Sequence, residues 1–145
     1  MITIRHVLNQ KPHHLHHIHP DATVRDGLKM MAEHNIGALV VMDDGHVVGV
    51  ITERDYARKI VLMGRTSLET PVSEIMTRRV IFARPEQSVE ESLAVMTART
   101  VRHLPVLDQN TVIGLVSIGD LVKAVIANKE FIIEQLETYI QGDNR

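Results

Sequence analysis

The sequence predicts an α/β fold of the α+β kind, with two β-α-β-β-α repeats related by a pseudo-twofold axis and a C-terminal helix. Residues 20–60 align with residues 85–125 at a constant offset of 65 without a gap, and ten of the 41 pairs are identical. Apolar residues recur at helix and strand spacings in both copies. The Asp44-Gly45 pair lies between two apolar runs, which indicates a hairpin turn. A duplicated unit places related clefts in pairs beside its axis.

Each repeat is expected to begin with a short extended segment, followed by a helix, a hairpin and a second helix. A hydroxyl and a carboxylate three residues apart start the first helix, Thr23 with Asp26 and Ser88 with Glu91, as in a capping box. In the first copy the predicted helix carries Val24, Leu28 and Met31, and the other predicted elements are residues 16–18, 38–42, 47–51 and 54–62. In the second copy the helix carries Val89, Leu93 and Met96, and the other elements are residues 80–83, 104–107, 112–116 and 120–128.

The predicted organisation is a first repeat with its N-terminal helix over residues 1–66, a second repeat over 67–128 and a C-terminal amphipathic helix and tail over 129–145. Residues 4–10 are expected to lead into the first repeat as residues 72–76 lead into the second. The final helix, residues 130–141, carries an apolar stripe of Phe131, Ile132, Leu136, Tyr139 and Ile140. Amphipathicity alone leaves open whether this stripe covers the core or a second subunit.

Composition excludes several classes of function. The net charge is −2, and the four aromatic residues provide no stacking platform, so neither nucleic acid nor an anionic membrane is an expected partner. No apolar run approaches the ~18 residues that cross a bilayer. Cysteine is absent, which removes disulfide and thiolate chemistry and fits a cytoplasmic protein. No nucleophile, phosphate-binding loop or open metal site is evident, so we expect no enzyme.

The strongest polar motif is Gly-x-x-[Ser/Thr]-x-x-Asp at a predicted strand-to-helix junction, present as Gly49 to Asp55 and as Gly114 to Asp120. Its plain interpretation is a capping box at the helix start. Its functional interpretation is a nucleotide contact, because a helix N-terminus suits a phosphate and a carboxylate can accept bonds from two ribose hydroxyls. The glycine on the strand would leave room for a flat base. Both interpretations can hold for one residue.

Together with the repeat and the segment Val101-Arg102-His103-Leu104-Pro105-Val106, these motifs resemble a tandem pair of cystathionine-β-synthase (CBS) domains, a Bateman module of the stand-alone signal-transduction type. The resemblance covers roughly residues 7–128. It implies two units packed through their sheets, with adenosine-containing ligands in the clefts between them, and a homodimer.

The resemblance also assigns site residues. Asp55 and Asp120 would hold ribose, Thr52 and Ser117 would lie near ribose or phosphate, and Arg102 and His103 would meet phosphates. The adenine pocket would be lined by Ile18, His19, Ile81 and Phe82. Arg102 and His103 align with Gly37 and Ala38, and Arg54 aligns with Gly119, so two unequal sites are expected. Which aspartate shares a ligand with Arg102 stays open.

The expected function is a non-catalytic module that binds an adenine nucleotide and changes its conformation or its contact with an unknown protein partner. AMP or NAD is preferred, ATP and ADP are possible, and S-adenosylmethionine is less favoured because the motif carries phosphate-binding cations. The alternative is a structural adaptor dimer with constitutive nucleotide or none. His13, His14, His16, His17 and His19 form a cluster, for which a pH-sensitive polar surface is favoured over a metal site.

Overall fold

The structure is a computed structural model that describes residues 1–11 and 15–143. It has two small sheets, one of three strands and one of two, with helices around them. The elements are α1 (Ile4–Asn9), β1 (His17–Ile18), α2 (Val24–His34), β2 (Ala38–Asp43), β3 (His46–Thr52), α3 (Glu53–Tyr56), α4 (Val89–Arg99), β4 (His103–Asp108), β5 (Thr111–Ser117) and α5 (Ile118–Asp143). A π-helical turn, Ala57–Val61, continues α3, and a 3-10 turn spans Val72–Glu74.

The two hairpins follow the predicted repeat. In the first, Ala38 pairs with Thr52, and in the second His103 pairs with Ser117, at the same offset of 65. Both hairpins shift register at the same place, after Val41 and after Val106. The turn residues adopt positive φ values, 50° at Asp44 and 78° at Gly45 in the first copy, which fits the twist that tight hairpins require. The hairpin predictions are therefore confirmed.

The opening strand of the second repeat is shorter than the sequence predicts. In the first repeat β1 pairs in parallel with β2, whereas in the second only Ala83 bridges to Val106. The Ala83 N–H donates to the Pro105 carbonyl and the Leu107 N–H donates to the Ala83 carbonyl, both at 2.9 Å. The next bond along the ladder would need an N–H from Pro105, which proline lacks. The strand predicted over residues 80–83 therefore reduces to one bridge.

The leading segments of the two repeats are exchanged between the cores. Ile4 and Val7 of α1 are buried in the second core, beside residues of β4 and β5. Val72 and Ile75 are buried in the first core. The sequence predicted that residues 4–10 lead into the first repeat; the buried face of α1 packs in the second core, because an amphipathic pattern specifies an apolar face without specifying its partner. Each core depends on a segment from the other repeat's side of the sequence.

This exchange also corrects the role expected for the two motif glycines. A Cβ at Gly49 would lie 2.7 Å from the Met76 sulfur, and a Cβ at Gly114 would lie 2.7 Å from Leu8 Cδ2. Real Cβ atoms do not approach other heavy atoms so closely. The space above each glycine is filled by an apolar side chain of an exchanged leading segment. Room for a flat base was the wrong explanation for these glycines.

Helix α5 runs without a break where the sequence predicted two helices separated near Lys129. No glycine or proline interrupts residues 120–141, so propensity allows a continuous helix. Its first turns pack on the second core through Leu121, whereas residues 126–141 carry exposed apolar side chains, including Phe131 and Leu136. The apolar stripe therefore does not cover the core of this chain. Among the described residues, no helix combines the length and apolar content needed to cross a membrane.

Candidate functional site

A cleft of about 730 Å³ lies between the two repeats, and we call it the first cleft. Its walls come from the strand-to-helix junction of the first repeat and from residues 77–81 and 100–105 of the second. Six of the eleven residues predicted from the sequence line it, namely Thr52, Arg54, Asp55, Ile81, Arg102 and His103. Arg102 lines this cleft together with Asp55. Cavities of this size commonly hold small-molecule ligands.

The first cleft is strongly cationic. Besides Arg54 and Arg102, it is lined by Arg58, Lys59 and Arg79, against two carboxylates, Glu53 and Asp55. The net charge of the whole chain is −2, so positive charge is concentrated at this point. Clefts lined by one sign of charge focus the field and attract ligands of the opposite sign.

Three cleft residues were not predicted from the sequence, namely Arg58, Lys59 and Arg79. Arg58 and Lys59 lie on the π-helical turn that follows α3, a feature that frequently occurs at functional sites and has no simple sequence signal. Arg79 lies in the segment after Met76, whose packing partner is set by the exchange of leading segments. The sequence contained one signal for these cleft cations. A basic residue stands three positions after the aspartate of each motif, Arg58 in the first copy and Lys123 in the second.

Both motif aspartates complete a capping box, so the plain interpretation of the motif holds. The Thr52 N–H donates to Asp55 Oδ2 at 3.0 Å, and the Asp55 N–H donates to Thr52 Oγ1 at 3.1 Å. The Ser117 N–H donates to Asp120 Oδ2 at 2.8 Å, and the Asp120 N–H donates to Ser117 Oγ at 3.1 Å. Each box satisfies backbone donors that the helix start would leave unpaired.

The capping box leaves one oxygen of Asp55 directed to other groups. Asp55 is 8% exposed, and its Oδ1 atom lies 3.1 Å from Lys59 Nζ and 3.5 Å from Thr77 Oγ1. Lys59 also donates to the Ile75 carbonyl at 2.8 Å. A carboxylate oxygen has lone pairs for more than one donor. A ligand hydroxyl that binds Oδ1 would therefore take the place of Lys59 or Thr77, while Oδ2 continues to cap α3.

Asp120 and Ser117 lie apart from the lining of the first cleft, at the start of α5. Lys11 Nζ donates to Asp120 Oδ2 at 2.7 Å and to the Leu115 carbonyl at 2.8 Å. Burial alone would raise the pKa of Asp120, but the hydrogen bonds from Lys11 and from the Ser117 backbone outweigh it and hold the pKa below its usual value. Lys11 was not foreseen from the sequence.

His103 lines the first cleft, and its pKa lies below its usual value. Burial of the imidazole lowers its pKa, and the positive charges of Lys11 and Arg102 act in the same direction, while Asp120 opposes them. A methyl group at Gly37 would lie 3.7 Å from the His103 ring, so the small residue that aligns with Arg102 leaves room in front of this histidine. A neutral imidazole offers a ligand one donor and one acceptor.

Three residues expected in an adenine pocket lie elsewhere. Ile18 is buried in the first core, at the position that aligns with the buried Ala83. His19 is half exposed, with Nε2 3.3 Å from Asp43 Oδ1. Phe82 is half-buried outside the cleft lining. The structure brings Val80, Ile81 and Val101 to the cleft as its apolar wall.

The histidine cluster is only partly within the described residues. His13 and His14 lie outside them. The His16 ring stacks on that of His34 with centroids 3.8 Å apart. Within residues 1–11 and 15–143, no group of three or more metal-ligating side chains is placed to hold a metal ion.

Comparison with known proteins decides the family. The family model of the CBS domain matches this chain twice, over residues 1–62 and 72–127. The chain is a tandem pair of CBS domains. The resemblance inferred from the repeat and its motifs is thereby confirmed, as is the fold class.

Three proteins illustrate the similarity. The CBS domain-containing protein CBSX3, mitochondrial, of Arabidopsis thaliana is 45% identical over 127 residues, which are 84% of this chain and 62% of that protein. A protein with CBS domains from Burkholderia ambifaria MC40-6 has a solved structure with a TM-score of 0.84 and 49% identity, covering 86% of this chain and 94% of that one. The CBS domain pair of protein MJ0100, solved with 5′-methylthioadenosine and S-adenosyl-L-methionine, has a TM-score of 0.73 and 26% identity over 88% of this chain and 97% of that one. This chain thus spans less than two thirds of CBSX3.

Proposed function

We propose that this CBS pair is a non-catalytic regulatory module that binds an adenine nucleotide in the first cleft. One observation carries the proposal. A buried carboxylate able to accept bonds from ribose hydroxyls, Asp55, lies in the same cleft as five cationic side chains from both repeats. The adenosine compounds bound by the similar MJ0100 pair support the ligand class.

The lining residues divide by chemistry into three parts of a nucleotide site. Asp55 and Thr52 would take the ribose, as the resemblance predicted. Val80, Ile81 and Val101 offer apolar surface to the base. Arg54 and Arg102, with the other cations, would take phosphate oxygens, for which the planar guanidinium is well suited. His103 would donate a hydrogen bond to the ligand.

The charge of the cleft narrows the choice of ligand. Five cations against two carboxylates exceed what one phosphate group would neutralise, so we rank ATP and ADP, and the pyrophosphate of NAD, above AMP. The sequence alone had favoured AMP or NAD. S-adenosylmethionine carries a positive sulfonium, which this cleft disfavours by like-charge repulsion.

Ligand binding would act by shifting a population of conformations. The cleft takes walls from both repeats, so a bound nucleotide contacts both and favours the arrangement in which those contacts are made. The shift is limited to the differential affinity of the ligand, about 1.4 kcal/mol for each tenfold preference. A protein partner that distinguishes the two arrangements would receive the signal.

Calorimetric titration of the nucleotide-stripped protein tests this function. We expect binding of ATP, ADP, NAD and AMP, in that general order, and weak or no binding of S-adenosylmethionine. Arg102→Ala should weaken ATP binding about tenfold, as loss of one charge-assisted hydrogen bond does. Arg25→Ala removes an exposed arginine outside the cleft and should leave affinity unchanged. Heats equal to dilution for all five compounds would refute the proposal.

We further propose that the protein is a homodimer joined through the free part of α5. Residues 126–141 would extend about 24 Å as a single unpacked helix, and isolated helices of that length are marginal in water. Along α5, Lys123 and Lys129 come before Glu130, Glu134 and Glu137. An antiparallel copy places unlike charges and opposed helix dipoles side by side, which a parallel copy does not.

One observation favours the alternative of an adaptor without a ligand-dependent role. Lys59 and Lys11 already pair with the two motif aspartates, and both capping boxes are complete. The carboxylates are therefore satisfied without a nucleotide. A dissociation constant near cellular nucleotide concentrations would support the sensor, whereas very tight or absent binding would support the adaptor.

A further inference from the structure

The side chain of Lys59 occupies the place in the first cleft that a ribose hydroxyl at Asp55 would need. Its ammonium lies 3.1 Å from Asp55 Oδ1 and donates to the Ile75 carbonyl at 2.8 Å. The Lys59 side chain lines the cleft and is 44% exposed, so it can move, whereas the Asp55 side chain is 11% exposed. The lysine therefore stands where a ligand would approach this carboxylate.

The carboxylate of Asp55 has all its acceptor positions in use. Its Oδ2 atom accepts from the Thr52 N–H at 3.0 Å and from Thr52 Oγ1 at 3.1 Å. Its Oδ1 atom meets Lys59 and, at 3.5 Å, Thr77 Oγ1. A carboxylate oxygen accepts about two hydrogen bonds. One ribose hydroxyl can replace the long contact to Thr77, but a vicinal second hydroxyl has to take the place of Lys59.

A Lys59 ammonium that leaves Asp55 loses its counterion, and only a ligand that carries phosphate supplies a new one. Four arginines also line the cleft, namely Arg54, Arg58, Arg79 and Arg102. A lysine released among them without an anion adds to like-charge repulsion. Phosphate oxygens would neutralise the released ammonium. Adenosine offers no such compensation and has to compete with the lysine for the carboxylate.

Lys59 is not required for the capped carboxylate itself. The second repeat builds the same capping box at Ser117 and Asp120, yet it has alanine, Ala124, at the position that aligns with Lys59. A lysine one turn beyond the aspartate, on the same helical segment, is therefore a feature of the first repeat alone. Its contact with Asp55 needs an explanation other than the start of the helix.

We propose that Lys59 is a specificity-determining residue, which competes with ribose for Asp55 and moves to phosphate when a nucleotide binds. The cleft thereby selects phosphorylated adenine nucleotides over adenosine. The proposal rests on the nucleotide-binding function of the first cleft and deepens it. Simple attraction of phosphate by the cleft cations would leave the affinity for adenosine independent of Lys59, whereas competition makes this lysine lower that affinity.

Calorimetric titration of the full chain with adenosine and with ATP tests the proposal. Lys59→Met keeps the length of the side chain and removes its charge, and it should bind adenosine about three- to tenfold more tightly than the wild type does. ATP, which loses a phosphate partner together with a competitor, should bind no more tightly. Adding Asp55→Asn should abolish the gain for adenosine. Lys29→Met, at an exposed lysine outside the cleft, is the matched control and should change neither affinity.

An unchanged or weaker affinity for adenosine in folded Lys59→Met would overturn the competition while ATP binding by the wild type still supports the nucleotide site. If the wild type binds no ATP, the nucleotide-binding function fails, and Lys59→Met decides the competition by gaining an Asp55-dependent adenosine site or none. Lys59→Gln keeps a donor for the Ile75 carbonyl and has the same expected gain if Lys59→Met does not fold. In the wild type, saturating adenosine should raise the acetylation rate of Lys59 relative to Lys29 and ATP should not, and equal effects of the two ligands would contradict the proposal.

Discussion

Asp55→Asn separates the binding role of the motif aspartate from its capping role. The amide oxygen of asparagine can still accept the Thr52 N–H, which lies 3.0 Å from Asp55 Oδ2, so the helix start keeps its main backbone contact. The charge is lost at Oδ1, the atom that lies 3.1 Å from Lys59 Nζ. Lys59 is 44% exposed and remains solvated by water. We therefore expect the free energy of unfolding to fall by about 1 kcal/mol or less.

The expected loss of affinity is larger than the loss of stability. Hydrogen bonds to a charged acceptor contribute about 1.5–3 kcal/mol, and Asp55 is only 8% exposed, so solvent screens little of that interaction. The variant should bind ATP roughly 10- to 100-fold more weakly, at about 1.4 kcal/mol for each factor of ten. Asp26→Asn, at the start of α2 and outside the cleft, is the matched control and should bind as the wild type does.

A thermodynamic cycle that combines Asp55→Asn with 2′-deoxy-ATP tests whether the Asp55 carboxylate contacts the ribose 2′-hydroxyl. The wild type should lose affinity when the 2′-hydroxyl is removed, because Asp55 loses a donor, whereas Asp55→Asn should lose much less. Calorimetry supplies the four dissociation constants, and urea unfolding of both proteins supplies the stability difference. Equal losses from the deoxy substitution in both proteins would refute a ribose contact at Asp55. Unchanged ATP affinity in the folded variant would refute the role of this carboxylate altogether.

Three further predictions concern stability and assembly. Thr100 ends α4 with a φ of 55°, which is costly for a β-branched residue, so Thr100→Asn should raise the free energy of unfolding by about 0.5–1 kcal/mol in urea melts. The reverse change at the aligned position, Asn35→Thr, should lower it by a similar amount. Because burial lowers the pKa of His103, the unfolded state binds the proton more tightly, and stability should fall as pH drops below about 6.5. His103→Gln should flatten that fall, and an unchanged slope between pH 7.5 and 5.5 would contradict it. Replacing Ile133 and Leu136 by glutamate should convert a dimer to a monomer in sedimentation velocity, with ATP affinity within threefold of the wild type.

Local patterns predicted much of the fold from the sequence. The hairpins were predictable because turn-forming residues and apolar runs are signals that act over a few residues. The strand pairs of the two hairpins also correspond at the offset of 65 found in the sequence. The capping boxes at Thr52 and Ser117 were predictable for the same reason. The continuous course of α5 was missed because a domain boundary was inferred where no helix-breaking residue stands.

Long-range packing was not predictable from the same patterns. The exchange of α1 into the second core depends on which of two similar apolar faces it meets, and the sequence offers no local signal for that choice. Arg79 and Lys11 reached their places through this exchange, so they were missed together. The sequence identified the glycine of each motif, but room for a base was the wrong reason for it. The side chain that packs over each glycine comes from a distant segment.

The asymmetry between the repeats follows from small differences at related places. Both copies build the same capped carboxylate, so duplication alone would give two equal sites. In the first, two arginines and a histidine from both repeats face a carboxylate whose lysine lies on its own helix. In the second, the cation comes from the N-terminal segment and pairs with the carboxylate itself. Two equivalent capped carboxylates are therefore paired by lysines of different origin, Lys59 from the same helical segment and Lys11 from the N-terminal segment.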